Sequence, residues 1–340
     1  MHEPLPFDDA EMAAMTTMVS TGSLPRVEYV QTLLDDVHAR YRGLDDGAVA
    51  DYIPALAAAS PDLFGACIAG VDGQLLKAGD ADARFSIQSV SKPFVFALVC
   101  QSIGYDEARQ KLGVNSTGMP FNSVMAIELS DDRTMNPMVN AGAIATTSLV
   151  PGSTADEKWR AIVEGLSAFA GRPLDLDDEV YASESATNLR NQGIAHLLDS
   201  YGRVYFDPDE ATDVYTRQCS LAVSATDLAV MGATLADGGV NPLTGRRVID
   251  AHHCKRVLAV LATAGLYERS GEWLYEIGLP GKSGVSGGIV AIAPGKGGLG
   301  TYSPPLDEAG NSVRGQRVTR HLSEALGLNL FASRPSGATS

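Results

Sequence analysis

The chain is 340 residues long, 45% apolar and 20% charged, a globular balance with length for one large or two ordinary domains and a sizeable core. Lysine and arginine number 26 against 41 acidic residues, a formal net charge of −15; a surface of that sign repels nucleic acid and anionic membranes and excludes both as expected partners. The four cysteines (Cys67, Cys100, Cys219, Cys254) are scattered without a C-x-x-C pair, no apolar run approaches a membrane span, and the acidic N-terminus lacks the regions of a secretory signal, so a reduced, cytoplasmic protein with buried thiols is expected.

Residues 1–23 read as a flexible leader. Val27, Val30, Leu34, Val37 and Tyr41 then recur at three- and four-residue spacing, the apolar stripe of a helix. Phe64 to Val71 and Gln74 to Lys77 flank Asp72-Gly73, a strong hairpin signal. The pattern turns helical from about Val90 to Ile103. Trp159, Ile162, Val163, Leu166 and Phe169 form another helical stripe, stopped by Gly171-Arg172-Pro173. One further helix is expected from Ser183 to about Ser200. Ser224-Ala225-Thr226-Asp227 has the form of a capping box and opens a helix with Leu228, Met231 and Leu235 inward, ended by Gly238-Gly239. Gly287 to Ala293 and Leu299 to Ser303 read as paired strands, residues 314–327 as a last amphipathic helix, and Ser333 to Ser340 as a frayed tail. Strands at both chain ends with helices between them imply a sheet assembled from the two termini.

Two motif matches lack the context their chemistry needs. Gly295, Gly297 and Gly300 fit G-x-G-x-x-G, but Tyr302-Ser303-Pro304-Pro305 follows where a dinucleotide site requires a helix N-terminus. A glycine-rich hairpin loop is the better reading. Gly284-Val285-Ser286-Gly287-Gly288 fits G-x-S-x-G, yet it runs into an apolar strand, whereas a nucleophile elbow must turn into a helix. The histidines show no metal-ligand spacing, and no metal or organic cofactor is expected.

Ser89-x-x-Lys92 stands at the start of the helix that follows Phe85-Ser86-Ile87-Gln88. A spacing of three puts both side chains on one helix face. A serine hydroxyl needs a base to become a nucleophile, and a buried lysine can serve if its pKa falls far enough. First-turn N–H groups can face a developing oxyanion. The pair alone is a weak signal, but the lysine leads into an apolar helix and Lys282-Ser283-Gly284 stands before the C-terminal strand. S-x-x-K with K-T-G is the signature of β-lactamases and penicillin-binding proteins, and Lys-Ser-Gly is a close variant.

Taken with Ala50-Asp51-Tyr52-Ile53-Pro54, Gln88 to Lys92, Asn136-Pro137-Met138-Val139-Asn140-Ala141-Gly142-Ala143-Ile144, Ser183-Glu184, Asn191, Tyr215, Gly265-Leu266-Tyr267, Leu279 to Gly288, Tyr302 to Asp307 and Gly310-Asn311-Ser312-Val313, the chain resembles the bacterial-type glutaminases over roughly residues 24–326. These are serine-dependent enzymes of the β-lactamase-like superfamily. The resemblance implies Ser89 as nucleophile, Lys92 as its base, and Tyr52 and Tyr267 at the reacting centre, with a phenol suited to carry a proton to departing ammonia. Lys282 would complete the catalytic set. Asn140, Glu184, Asn191 and Tyr215 would hold the α-amino and α-carboxylate groups of glutamine, and the Val285 N–H would join that of Ser89 in an oxyanion hole. Ser91 need not participate. A homo-oligomer, a tetramer, is also implied.

The residues themselves agree at one point. On a single helix Glu184, Asn188 and Asn191 share a face, and a carboxylate beside an amide suits a zwitterion; Asn188 is expected outside the site. The expected architecture is α/β, of the β-lactamase/transpeptidase-like type, with a mostly antiparallel sheet from both chain ends. Residues 24–86 and 221–327 would form a discontinuous α/β domain, 87–220 a helical domain and 328–340 a tail. Rival readings are a β-lactamase or D-alanyl peptidase using the same serine and lysine, and a catalytically silent glutamine sensor.

Overall fold

The structure is a computed structural model that describes Gly22, residues 24–51 and residues 53–333. The leader apart from Gly22, Tyr52 and most of the tail lie outside the described residues. Helix α1 (Val27–Tyr41) forms as its stripe predicts, with Val30, Leu34, Val37 and Tyr41 buried. The hairpin follows as β1 (Gly65–Gly70) and β2 (Leu75–Gly79) around Asp72-Gly73, where Gly73 takes the left-handed φ of +85° that the turn needs.

A short strand β3 (Phe85–Ser86) leads through a 3₁₀ turn at Gln88–Ser91 into α2 (Lys92–Ile103). The helical stretch continues with α3 (Asn140–Ser148) and α4 (Ala155–Ala170). On α4 the stripe buries Ile162, Leu166 and Phe169, and Gly171 ends the helix in the left-handed conformation. A two-residue strand β4 (Asp175–Leu176) comes next.

The single helix expected from Ser183 to Ser200 is instead two, α5 (Asp178–Ser185) and α6 (Leu189–Ser200). Asn188 breaks them with φ −86° and ψ 15°, and its amide nitrogen donates to Thr216 Oγ1 at 3.2 Å. A short polar side chain with such a partner favours a turn over a helix interior. Helix α7 (Pro208–Cys219) follows, then β5 (Leu221–Val223) and α8 (Ala225–Ala236). The capping box predicted for α8 forms in full: Asp227 N–H donates to Ser224 Oγ and Ser224 N–H to Asp227 Oδ2. Helix α9 (Ala251–Ala264), strands β6 (Gly281–Ser283), β7 (Gly288–Ala293) and β8 (Gly297–Tyr302), and α10 (Val313–Ala325) complete the described elements used below.

The main sheet is antiparallel in the order β2-β1-β8-β7-β6, so strands from the two ends of the chain meet at its centre. Both faces are covered. Ile289, Ala291 and Ala293 of β7 join the cluster built with Val30, Leu34, Val318 and Leu322 of α1 and α10. Val290 and Ile292 point the other way, into the cluster that holds Phe94, Phe169, Leu228 and Met231. A strand buried on both faces reads as a continuous apolar run, not an alternation.

The glycines of the dinucleotide-like motif explain themselves here. Gly295 is the hairpin turn between β7 and β8 at φ +74°. A Cβ at Gly297 would meet Ala69 O at 2.2 Å, and one at Gly300 would meet Ala225 O at 2.0 Å. They allow backbones to touch, strand to strand and helix to sheet. A second small sheet, β3-β5-β4, ties the chain before Ser89 to the start of α8.

Candidate active site

Ser89 sits in the 3₁₀ turn, and Lys92 is the first residue of α2, one turn on and buried like it. The turn is strained: Gln88 has φ +48°, a value that costs a non-glycine residue free energy. The strain is held from both sides. Ile87 N–H donates to Leu221 O at 2.8 Å, and the Gln88 side chain donates to Glu184 Oε2 at 3.1 Å and Ser86 Oγ at 3.3 Å. Ser91 Oγ donates to Gln88 O at 2.7 Å and accepts from Gln218 at 2.9 Å, a structural bracing of the turn.

Lys92 is 1% exposed. Its ammonium donates to Asn140 Oδ1 at 2.7 Å and more weakly to Met138 O at 3.4 Å. Gly142 makes this arrangement possible, because a Cβ there would lie 1.9 Å from Asn136 O; the loop before α3 therefore folds tightly back on the helix. Burial lowers the Lys92 pKa to about 8, against the opposing pull of Cys219 and Glu184.

Behind this pair lies a second strained residue. Tyr267 has φ +58°; its carbonyl accepts from Ser270 Oγ at 2.8 Å and its hydroxyl donates to Ser283 O at 3.2 Å. Burial pushes the Tyr267 phenol up to about 12, with hydrogen bonding to Ser89 and Ser283 working against the rise. The Lys282 ammonium lies 4.1 Å from the Tyr267 ring centre and donates to Ser283 O at 2.8 Å. Burial, then the Lys92 charge, depress the Lys282 pKa well below its ordinary value.

A cavity of about 350 Å³ opens on Ser89. Among the predicted binding residues, Asn140, Glu184, Asn191, Tyr215 and Val285 line it. Asn140 Nδ2 donates to Asn191 Oδ1 at 3.0 Å, and Tyr215 Oη donates to Asn140 Oδ1 at 3.4 Å. Burial raises Glu184 to about 7, partly offset by the Gln88 hydrogen bond and Lys92. Burial also raises the Tyr215 phenol well above its usual range. Lys92 and Tyr267 are not on the wall but one contact behind it, through Asn140 and Phe121, and Lys282 lies behind Tyr267. Tyr52, expected at the reacting centre, lies outside the described residues, and its neighbour Ile53 lines the cavity.

Some lining residues were not anticipated. Phe121, Asn122, Thr187 and Arg190 contribute, and so does Asn188, which was expected outside. The helix break at 186–188 brings that turn to the cavity; a spacing argument that assumed one helix could not place it. Gln88, adjacent to the serine, was legible as a motif residue, but its left-handed backbone was not. Ser286 of the G-x-S-x-G match donates to Ser86 O at 2.7 Å, so it fastens the loop before β7. Gly284 lets that loop approach, since a Cβ there would stand 3.1 Å from Ile87 O and 3.4 Å from Gln88 Cβ.

A Ser–Lys pair, a buried phenol nearby and a carboxylate–amide wall are the parts that acyl transfer on a small zwitterion would need. Residues 47–331 match the glutaminase family model. Glutaminase 2 of Yersinia pestis is 60% identical over 331 residues, covering 97% of each chain. A glutaminase of Mycobacterium ulcerans is 51% identical over 87% of this chain and 92% of its own. Among solved structures, the probable glutaminase YbaS superposes with a TM-score of 0.90 at 46% identity, covering 91% of this chain and all of its own. The probable glutaminase from Bacillus subtilis complexed with 6-diazo-5-oxo-L-norleucine superposes with a TM-score of 0.81 at 30% identity, over 93% of this chain and all of its own. The α/β architecture with its antiparallel sheet is that of the β-lactamase-like fold these proteins share.

Proposed function

The chain belongs to the glutaminase family, and from that premise we propose that it hydrolyses the side-chain amide of free L-glutamine to L-glutamate and ammonia through an acyl-enzyme on Ser89. The observation that carries the serine assignment is the Ser89–Lys92 pair at the cavity, with a lysine whose pKa is lowered to about 8 by burial and the buried Tyr267 phenol nearby.

Neutral Lys92 takes the Ser89 proton as Oγ bonds to the amide carbon, and the N–H groups of Ser89 and Val285 receive the oxyanion. Tyr267 relays the proton to the amide nitrogen as the C–N bond breaks, and ammonia leaves. Water then adds to the γ-glutamyl ester with the same groups acting in reverse, freeing glutamate and Ser89. Lys282, over the face of the Tyr267 ring, fixes that ring from above. Tyr52 would act beside Tyr267. Glu184 pairs with the substrate ammonium, while Asn140, Asn191 and Tyr215 meet its carboxylate.

Ser89→Ala should lose turnover yet keep the fold and bind glutamine. The electrophilic analogue 6-diazo-5-oxo-L-norleucine, incubated with this enzyme, should give a single adduct that peptide mass spectrometry places on Ser89. An adduct on Ser286 or on a cysteine would overturn the assignment. We further propose a cytoplasmic homotetramer. Sedimentation equilibrium giving a monomer at micromolar concentration would reject the assembly, and recovery of the native enzyme outside the cytoplasmic membrane on fractionating its cells would reject the compartment.

A further inference from the structure

We propose that Asn311 is a positioning residue for proton delivery to the leaving nitrogen, acting through Ser283 and Tyr267. The inference rests on the proton-relay reading of Tyr267. Among the described residues, strand β6 lies at the edge of the sheet, pairs only with β7 and ends at Ser283. Its last carbonyl nevertheless has two jobs: Ser283 O accepts the Tyr267 hydroxyl at 3.2 Å and the Lys282 ammonium at 2.8 Å. A tilt of that one peptide plane would redirect both groups.

The lateral anchor that a further strand would supply comes from a side chain. Ser283 Oγ donates to Asn311 Oδ1 at 2.6 Å, and both residues are fully buried. Asn311 is itself fixed: its N–H donates to Asp307 Oδ1 at 3.0 Å, and its carbonyl accepts from Asp307 N–H at 2.8 Å. Asp307 is held in turn by Gln316 at 2.9 Å and Arg269 at 3.5 Å. Stability alone does not account for the amide, because Asn311 Nδ2 is buried with no partner among the described residues, an arrangement that costs free energy. The chain from Asp307 through Asn311 and Ser283 therefore ends on the carbonyl that sets the resting direction of the Tyr267 hydroxyl. From there the hydroxyl must turn to the departing nitrogen.

Proton delivery matters for an amine leaving group and not for a phenolate, which distinguishes positioning from general packing. The experiment compares kcat/KM, which reports acylation, for L-glutamine and for the γ-p-nitrophenyl ester of L-glutamate. Asn311→Ala and Ser283→Ala should each lower the amide value by about tenfold or more while changing the ester value by no more than about threefold. Ser283→Thr, which keeps the hydroxyl, should restore the amide rate. Ser283→Ala removes a single oxygen and serves alone if Asn311→Ala does not fold. Equal losses on amide and ester in the folded variants, or no loss on either, would overturn the proposal. Tyr267→Phe is the internal control: if it also fails to discriminate amide from ester, the relay reading of Tyr267 fails; if it discriminates and the Asn311 and Ser283 variants do not, only the positioning role fails.

Discussion

Burying an ammonium at Lys92 lowers stability, and the lowered pKa is what its proposed role as a base requires. Its folded pKa of about 8 lies below the 10.5 of a free lysine, so between those values the unfolded chain binds more protons and stability rises with pH. Below about 8 the folded protein carries the full cost of the buried charge. The same shift makes activity rise with pH: kcat/KM should climb as Lys92 loses its proton near pH 8. If Glu184, raised to about 7 by burial, pairs with the substrate ammonium as proposed, it should add a second ascending limb in the free enzyme. Bound substrate keeps Glu184 ionised, so the kcat profile should retain only the lysine limb. Lys92→Arg should be nearly inactive at every pH below 10, since a guanidinium keeps its proton. Lys92→Met should be inactive yet melt at a higher temperature than the parent at pH 7. A lower melting temperature in calorimetry would refute the claim that the buried Lys92 charge costs stability. Glu184 has its own test. Glu184→Gln should lose most kcat/KM on free glutamine and narrow the gap to N-acetylglutamine, whose α-nitrogen is neutral. A uniform loss on both would reduce Glu184 to a structural role. Lys92 was legible from its spacing from Ser89 together with the family resemblance, and Glu184 mainly from the resemblance, because a carboxylate on a polar helix face is common in itself. Gln88 and Tyr267 at positive φ were not legible as strained, since only a fold can impose such a conformation on them.

Elements were readable where a local rule fixes them. The α1 stripe, the Asp72-Gly73 hairpin and the Ser224–Asp227 capping box each depend on neighbours in sequence, and each forms. The β3-β5-β4 sheet was not legible, because strands of two or three residues carry no periodicity. Nor was the break between α5 and α6, which Asn188 makes with a partner 28 residues away. Arg172 closing on Asp227 at 2.7 and 2.6 Å adds a long-range reinforcement to the capping box that no local pattern announces. Glycines divide in the same way. Gly295 serves a turn and has open space where a Cβ would stand, whereas Gly300 lets α8 rest on β8. Gly295→Ala should cost about 1 kcal/mol from its left-handed φ. Gly300→Ala should cost about 3 kcal/mol, at the upper end for overpacking, because the obstacle is backbone and cannot rotate away. Urea midpoints of the two variants would measure the difference. Equal shifts would mean that the helix can lift off the sheet freely.

At the scale of the whole molecule, the sheet and the helices share their apolar interior. One cluster runs from Phe85 and Phe94 through Phe169 and Leu221 to Val290, Ile292 and Tyr302, so residues before, within and after the helical stretch bury one another. Strand β7 joins this cluster to the one on the other face of the sheet, since alternate residues enter each. A chain of this length ordinarily unfolds through intermediates, part by part. Here, melting the helices would expose the α8 side of β7, and losing the sheet would uncover Phe94 and Leu228, so although each part also has a smaller cluster of its own, the shared one couples them. The two tryptophans make this measurable. Trp159 lies on α4 against the first cluster, and Trp273 is 3% exposed within the second. With Trp159→Phe and Trp273→Phe, each single-tryptophan protein reports one side of the sheet by fluorescence in urea. The two midpoints should coincide with each other and with the loss of helical circular dichroism, within the small offset that each substitution introduces. Calorimetry of the parent should give one peak. If the Trp159 signal moves first while Trp273 stays native, the helical stretch is a separately folding unit and the common core does not couple the two.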